Sequence, residues 1–264
     1  MQKKELTGRE TSPREDIIAG RNAVLEALKS GAGLEAVYIA KGDRQGSIVR
    51  ILSLCAEHKV TVKEVSPAKL DGMCPNSAHQ GVAAVLSAAS YSTLEDLFAA
   101  AQQRSESPFF IIADEIEDPH NLGAIIRTAE ACGAHGVIIP KRRSAGLTST
   151  VYKTSAGALS HMAVAKVPNL VSAIEELKER GVWVFAADMD GQTWCELDYT
   201  GPVALVVGSE GKGVGRLVRQ HCDFLVSMPM RGQINSLNAS VAGSILMYEV
   251  LRQRMGIRAF APKK

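Results

Sequence analysis

Apolar and polar positions follow two rhythms along the chain, and the change falls between Ala88 and Pro108. Residues 1–16 are charged and polar without an apolar run, and are expected to form a disordered tail. After them, short elements alternate. Val24, Leu25 and Leu28 fall at helical spacing, with Gly31 and Gly33 supplying the stop. Residues 36–40 read as a strand, 47–59 as a helix, 60–65 as an alternating strand, SPAKLDGMC as a short helix ending near Pro75, and 81–87 as a strand. This pattern predicts a compact α/β module over residues 17–88. YSTLEDLFAAAQQRSES then reads as a capped polar helix followed by Ser/Glu-rich chain. Thr93 or Ser92 is the cap, Glu95 and Asp96 fill its first turn, and the linker is placed at residues 89–107.

The second rhythm, over residues 108–264, is that of buried strands. FFIIADEI, from Phe109, is a continuous apolar run, and GVIIP, VWVFAAD, VALVVGS and FLVSMP follow it. Helices are expected between and after them at about 121–132, 150–160, 169–180, 211–220 and 236–254, which predicts a doubly wound parallel sheet. Three stretches share a strand-to-polar-turn-to-helix logic: HNLGAIIR (His120–Arg127), VVGSEGKGVG (Val206–Gly215) and MPMRGQINSLNAS (Met228–Ser240). In the last, Asn235, Ser236 and Asn238 precede a long helix, where short polar side chains cap the helix or reach a ligand. Convergence of the three turns requires their strands to be parallel neighbours in one sheet.

Composition changes this picture little. The chain is 46% hydrophobic and 22% charged, as in ordinary globular proteins. Net charge is +2, with 12 basic against 10 acidic residues up to Ser90 and 18 against 18 beyond, so binding to nucleic acid would need a local patch. Lys141, Arg142 and Arg143 form the one tight basic cluster, read equally as a solvated loop or a phosphate contact. The five cysteines have no CxxC spacing and read as free thiols of a reducing, cytoplasmic compartment. No signal peptide, no membrane-spanning run and no metal-ligand set is expected. The glycines of GSEGKGVG fail both nucleotide fingerprints. Lys212 is followed by Gly213 instead of Ser or Thr, and the run lies too late for a first βα unit. Asn121 reads as a helix cap, Arg127 as a partly buried, ion-paired arginine, and His79 as structural.

Together, NLGAIIR, VVGSEGKGV and MPMRGQINSLNASVAGSILMYE resemble the three motifs of the SpoU (TrmH-type, SPOUT) RNA ribose 2′-O-methyltransferases. AGRNAVLEAL and HQGVAA resemble the ribosomal-protein-like RNA-binding module of the subgroup that methylates a guanosine of bacterial 23S ribosomal RNA. The resemblance implies a deep trefoil knot in the C-terminal parallel sheet, S-adenosylmethionine (AdoMet) bound in it without a metal, and a homodimer. It places Gly208, Met228 and Leu237 in the AdoMet pocket, with Ala187 and Asp188 at a neighbouring strand end. Asn121, Arg127, Glu210, Ser236 and Asn238 take the active-site positions. Arg127 is expected to bind the phosphate beside the target ribose and steady developing oxyanion charge, with Glu210 orienting the loop or the arginine. The alternatives are the same chemistry on tRNA or another ribosomal RNA site, and a non-catalytic RNA-binding assembly factor. One departure is Ala239, where many relatives have a β-branched residue; it is expected to touch packing only.

Overall fold

The computed structural model describes residues 17–29, 33–42, 45–75, 77–86, 91–234 and 236–258. The expected disordered tail, the stop at Gly31 and the turn residue Asn235 lie outside them. The chain forms two compact units, Met1–Ala89 and Ser90–Lys264.

The first unit contains β1 (Ile17–Ala19), α1 (Arg21–Lys29), β2 (Leu34–Ala40), α2 (Ser47–Glu57), β3 (Thr61–Val65), α3 (Pro67–Met73) and β4 (Val82–Leu86). Its sheet runs β1-β4-β2-β3, with β4 antiparallel to both neighbours and β2 parallel to β3. Val24 and Leu28 of α1 and Ile48 and Ile51 of α2 recur at helical spacing and are fully buried, as are Val37 and Val82 of the sheet. The turn before β4 is tied to the start of α1, since Arg21 Nε donates to the Gln80 carbonyl (2.9 Å). His79 accepts from the Gly81 N–H at Nδ1 (3.0 Å), with Nε2 3.0 Å from Asp71 Oδ1. It closes a turn.

The second unit contains α4 (Leu94–Arg104), β5 (Phe109–Ala113), α5 (Pro119–Ala131), β6 (Gly136–Pro140), α6 (Ser149–Thr154), β7 (Val164–Val167), α7 (Leu170–Glu179), β8 (Trp183–Thr193), β9 (Val203–Val207), α8 (Arg216–His221), β10 (Phe224–Ser227) and α9 (Ala239–Arg254). The strand order is β10-β8-β9-β5-β6-β7, with every pairing parallel. Successive side chains of β5 explain both apolar layers. Phe109, Ile111 and Ala113 meet Leu122 and Ile125 of α5 and Leu246 and Met247 of α9. Phe110 and Ile112 meet Leu97 of α4, Ile174 and Leu177 of α7 and Val218 of α8 on the other face. Each of these side chains other than Ala113 stabilises the fold by about 1.5–3 kcal/mol relative to exposure.

The structure departs from the pattern-based expectation at four places. The expected capped helix forms, as α4 with a Thr93–Asp96 capping box, but it is part of the second unit where the linker was placed. Its Leu97 seats so closely that a Cβ at Gly136 would lie 2.2 Å from Leu97 Cγ. The edge strand β7 was not anticipated, because VAKV is short and interrupted by a lysine. Residues 208–215 form a loop, leaving α8 only Arg216–His221. Finally, β5 and β9 are neighbours, but β10 lies beyond β8. The chain after β10 must therefore return across roughly two strand spacings, ~10 Å, to meet the other two turns.

Candidate functional site

In a sheet whose strands are all parallel, the loops after β5, β8, β9 and β10 leave from one end. Asp118 caps α5, accepting from the His120 N–H (2.9 Å), with Pro119 in the first turn. This corrects the reading of Asn121 as the cap. Asn121 sits inside the first turns of α5, buried, and its amide donates to Glu210 Oε1 (2.9 Å). Asn238 is the cap of α9: its Oδ1 accepts from the Ser240 N–H (3.0 Å) and from the Ser240 hydroxyl (2.6 Å). Because that oxygen is committed to the helix start, the amide nitrogen faces the other way. It donates to Asn121 Oδ1 (3.0 Å) and to Glu210 Oε1. One residue from each of the three polar stretches thus joins a single hydrogen-bonded triangle. Glu210 is oriented by two amides; of the two partners expected for it, the loop or Arg127, the arginine makes no hydrogen bond or ion pair with it.

Beside the triangle is a cavity of about 390 Å³. Gly208, Met228, Leu237, Ala187 and Asp188 line it, and so do Glu210 and Ser236. Gly208 has no alternative residue in this arrangement. The loop folds back over it, with the Gly213 N–H donating to the Ser209 carbonyl (2.8 Å), and a Cβ at Gly208 would lie 2.1 Å from the Gly213 carbonyl carbon. Consecutive Leu225 and Val226 of β10 pair with Ala186 and Gln192 of β8, so residues 187–191 leave the ladder as a bulge. Ala187, Asp188, Met189 and Asp190 reach the cavity from that bulge. Asp188 is held by Arg219, whose Nη2 donates to Oδ1 (3.2 Å) and whose Nε lies 2.8 Å from Oδ2.

Arg127 stands apart. It is exposed, and no hydrogen bond or ion pair joins it to another described residue, which corrects the expectation of a partly buried pair. Ile125 and Ile126 beside it in sequence are fully buried, and the helix turns Arg127 away from them. The next residue, Thr128, contacts Ser244 of α9 through its hydroxyl (3.0 Å). Sequence reasoning also passed over Asp114, at the carboxyl end of β5. Its buried carboxylate accepts from the Gly215 N–H (2.7 Å) and so anchors the far end of the glycine loop. Burial pushes its pKa above the ordinary carboxylate range, and the Gly215 bond works against that. An acidic residue directly after a continuous apolar strand was the available signal; its partner, 101 residues on, was not. Among the described residues, no group of three His, Cys, Asp or Glu is placed to hold a metal ion, and no helix is long and apolar enough to cross a membrane.

A parallel sheet with a glycine-cradled cavity and the polar triangle of three motifs at its carboxyl end defines the class. Residues 108–248 match the SpoU rRNA Methylase family, to which the chain belongs, and residues 17–92 match the family described as RNA 2'-O ribose methyltransferase substrate binding. Among individual proteins, the chain is 49% identical over 244 residues to the "Putative TrmH family tRNA/rRNA methyltransferase YacO" of Bacillus subtilis, covering 92% of this chain and 98% of that one. It is 47% identical over 239 residues to a Staphylococcus haemolyticus protein of the same description, covering 90% and 96%. Of solved structures, the SpoU methyltransferase AviRb of Streptomyces viridochromogenes, in complex with AdoMet, superposes with a TM-score of 0.75 at 25% identity, covering 92% and 91%.

Proposed function

We propose that the protein transfers a methyl group from AdoMet to the ribose 2′-hydroxyl of a guanosine in 23S ribosomal RNA. The observation that carries this reading is the meeting of Asn121, Glu210 and Asn238 at the edge of the cavity built around Gly208. The cavity suits AdoMet. Its volume lies in the range of about 300–1,000 Å³ usual for small-molecule sites, it has apolar walls at Val207, Val226, Met228 and Leu237, and its glycine cradle brings backbone against the ligand. When bound, AdoMet supplies an activated methyl group on a sulfonium.

The chain's own residues then align the ribose oxygen behind the methyl carbon, and the 2′-hydroxyl proton leaves to solvent as the new bond forms and the thioether departs. Gly208, Met228 and Leu237 hold the donor, with Ala187 and Asp188 on the bulge side. The triangle fixes Glu210 and Asn238 at the mouth, and Ser236 joins them there to position the ribose. Arg127 is always charged and is a poor base, so its part is to bind the neighbouring phosphate and steady the developing oxyanion. In one copy Arg127 has no described partner, and its neighbour Thr128 touches α9. The outward face of α9 is apolar, with Val241 47% and Tyr248 54% exposed. This supports a homodimer packed through α9, in which Arg127 completes the site of the second copy. The same reading includes the deep trefoil knot, a location in the cytoplasm, and an RNA-gripping role for the first unit.

Methyl transfer from labelled AdoMet to unmodified ribosomal RNA and, separately, to tRNA tests it, mapping modified ribose by resistance to alkaline cleavage. One 2′-O-methylguanosine in 23S RNA is the expected result. Label on tRNA alone would keep the chemistry and overturn the target. AdoMet binding with no label on either RNA would favour an assembly factor.

A further inference from the structure

Charge is not spread evenly over the second unit. At the amino ends of the strands, where α4, α7 and α9 finish, Arg180, Lys178 and Arg254 are occupied, and Arg258 is exposed. Arg180 pairs with Glu95 (2.8 Å) and Lys178 with Asp223 (2.9 Å), while Arg254 donates to the carbonyls of Pro108 (3.0 Å) and Gly201 (2.7 Å). At the carboxyl ends, Lys141 and Arg142 are exposed and have no hydrogen bond or ion pair to another described residue through their side chains. The third member of their cluster, Arg143, is paired with Glu115. That pairing braces the loop, as do two backbone bonds, Lys141 N–H to the Val167 carbonyl (2.8 Å) and Ala145 N–H to the Ile116 carbonyl (2.8 Å), and one from the Leu147 N–H to the Tyr91 hydroxyl (3.2 Å). Two unpaired cations are therefore displayed on a fixed loop, which lowers the ordering cost of binding.

The rim is also asymmetric about the cavity. The β8 bulge is acidic, with Asp188 and the mostly exposed Asp190 paired to Arg219, while exposed Lys212, Arg216 and Arg231 stand on the chain after β9 and β10. On the β5–β6 side, Asp118 is engaged as a helix cap and Glu115 by Arg143, leaving exposed Glu117 against Lys141 and Arg142. The loop after β6 lies two strands from β9, ~10 Å from the cavity edge. We infer that Lys141 and Arg142 bind backbone phosphates of the RNA strand beside the target nucleotide, so that the strand passes over β5 and β6. The inference rests on the RNA-methyltransferase reading and names the surface that reading requires.

The experiment compares the full chain, a Lys141→Ala/Arg142→Ala variant, and a Arg104→Ala/Arg258→Ala control that removes the same charge at the opposite end of the sheet. Binding to unmodified 23S RNA and tRNA transcripts is measured across a salt series, alongside AdoMet affinity and methyl transfer. Loss of two phosphate contacts should flatten the slope of log K against log salt by about 1.4–1.8. It should also raise the KM for RNA while AdoMet affinity stays within twofold, and the control should keep the parent slope. A slope equal to the control's, with methyl transfer intact in the parent, overturns the phosphate surface alone. A parent that methylates neither RNA overturns the enzyme reading, and a flattened slope in that case still supports the surface.

Discussion

Gly208 has no room for a side chain. A Cβ there would stand 2.1–2.2 Å from backbone atoms of Gly213 and Val214, where the chain itself and no flexible side chain is the obstacle. Gly208→Ala must therefore push residues 209–213 outward and open the cradle, while the buried strand β9 beneath it stays in place. The expected outcome is at least a tenfold loss of AdoMet affinity, about 1.4 kcal/mol, with an unchanged far-UV spectrum and RNA affinity. Isothermal titration measures it, and a Kd within twofold of the parent would show that the loop gives way cheaply. The residue scale is also where the sequence was hardest to read. Asn121 looked like a helix cap because it precedes an apolar run. The cap is Asp118, three residues earlier, and the Asn121 amide is spent on a partner 89 residues away. No local pattern encodes such a pairing. Asn238 does cap its helix, but its other half completes the same triangle.

At the scale of elements, the legible parts were those with a continuous or long periodic apolar run, fully buried in β5 and β9. β5, β9 and the long α9 followed from apolar continuity, whereas β7, with a lysine in four residues, and the five-residue bulge of β8 did not. The bulge is set by pairing with β10, a non-local fact. The start of β5 carries a device of the same non-local kind. Buried His135 accepts from the Phe109 N–H at Nδ1 (3.0 Å), so the neutral ring carries its proton at Nε2 and donates it to Glu106 (3.0 Å). Burial is the main cause that holds its pKa below the ordinary value, against the opposing pull of Glu106. With the folded value below the unfolded one, the unfolded chain takes up the proton first. The stabilisation is then complete above about pH 6.5 and is lost as pH falls through the folded pKa. Melting temperature should decline between about pH 7 and pH 5, and His135→Gln should melt lower at pH 7 with a flatter profile over that window. Asp114 acts in the opposite sense, its raised pKa favouring proton uptake by the folded state, and is common to both proteins. Parallel profiles for the two would rule out His135 as the source.

At the scale of the whole molecule, the question is why an arginine in a catalytic-type motif is left outside its own triangle. Along α9, Val241, Ile245, Tyr248, Arg252 and Met255 recur at alternating four- and three-residue steps on one face. Ser244, Ile245, Tyr248 and Leu251 line a groove there with Trp194 and Ile257. Ser244 is also the residue that Thr128 contacts, which sets Arg127 beside this groove. A second copy packed on the groove through a two-fold axis would bring its own Arg127 into reach, one arginine exchanged each way. Mixing two inactive proteins distinguishes exchange from action within one copy. Arg127→Ala lacks the arginine, and Asn238→Ala lacks the triangle. If Arg127 serves the partner, each mixed dimer has one site with both defects and one with neither. Equal mixing after dissociation should then restore about a quarter of the parent's methyl transfer. If Arg127 serves its own copy, every site in the mixture carries one defect and no activity returns. Tyr248→Glu, which places a charge in the apolar groove, should shift the mass in sedimentation toward the monomer and abolish the recovery, tying the arginine's role to that face.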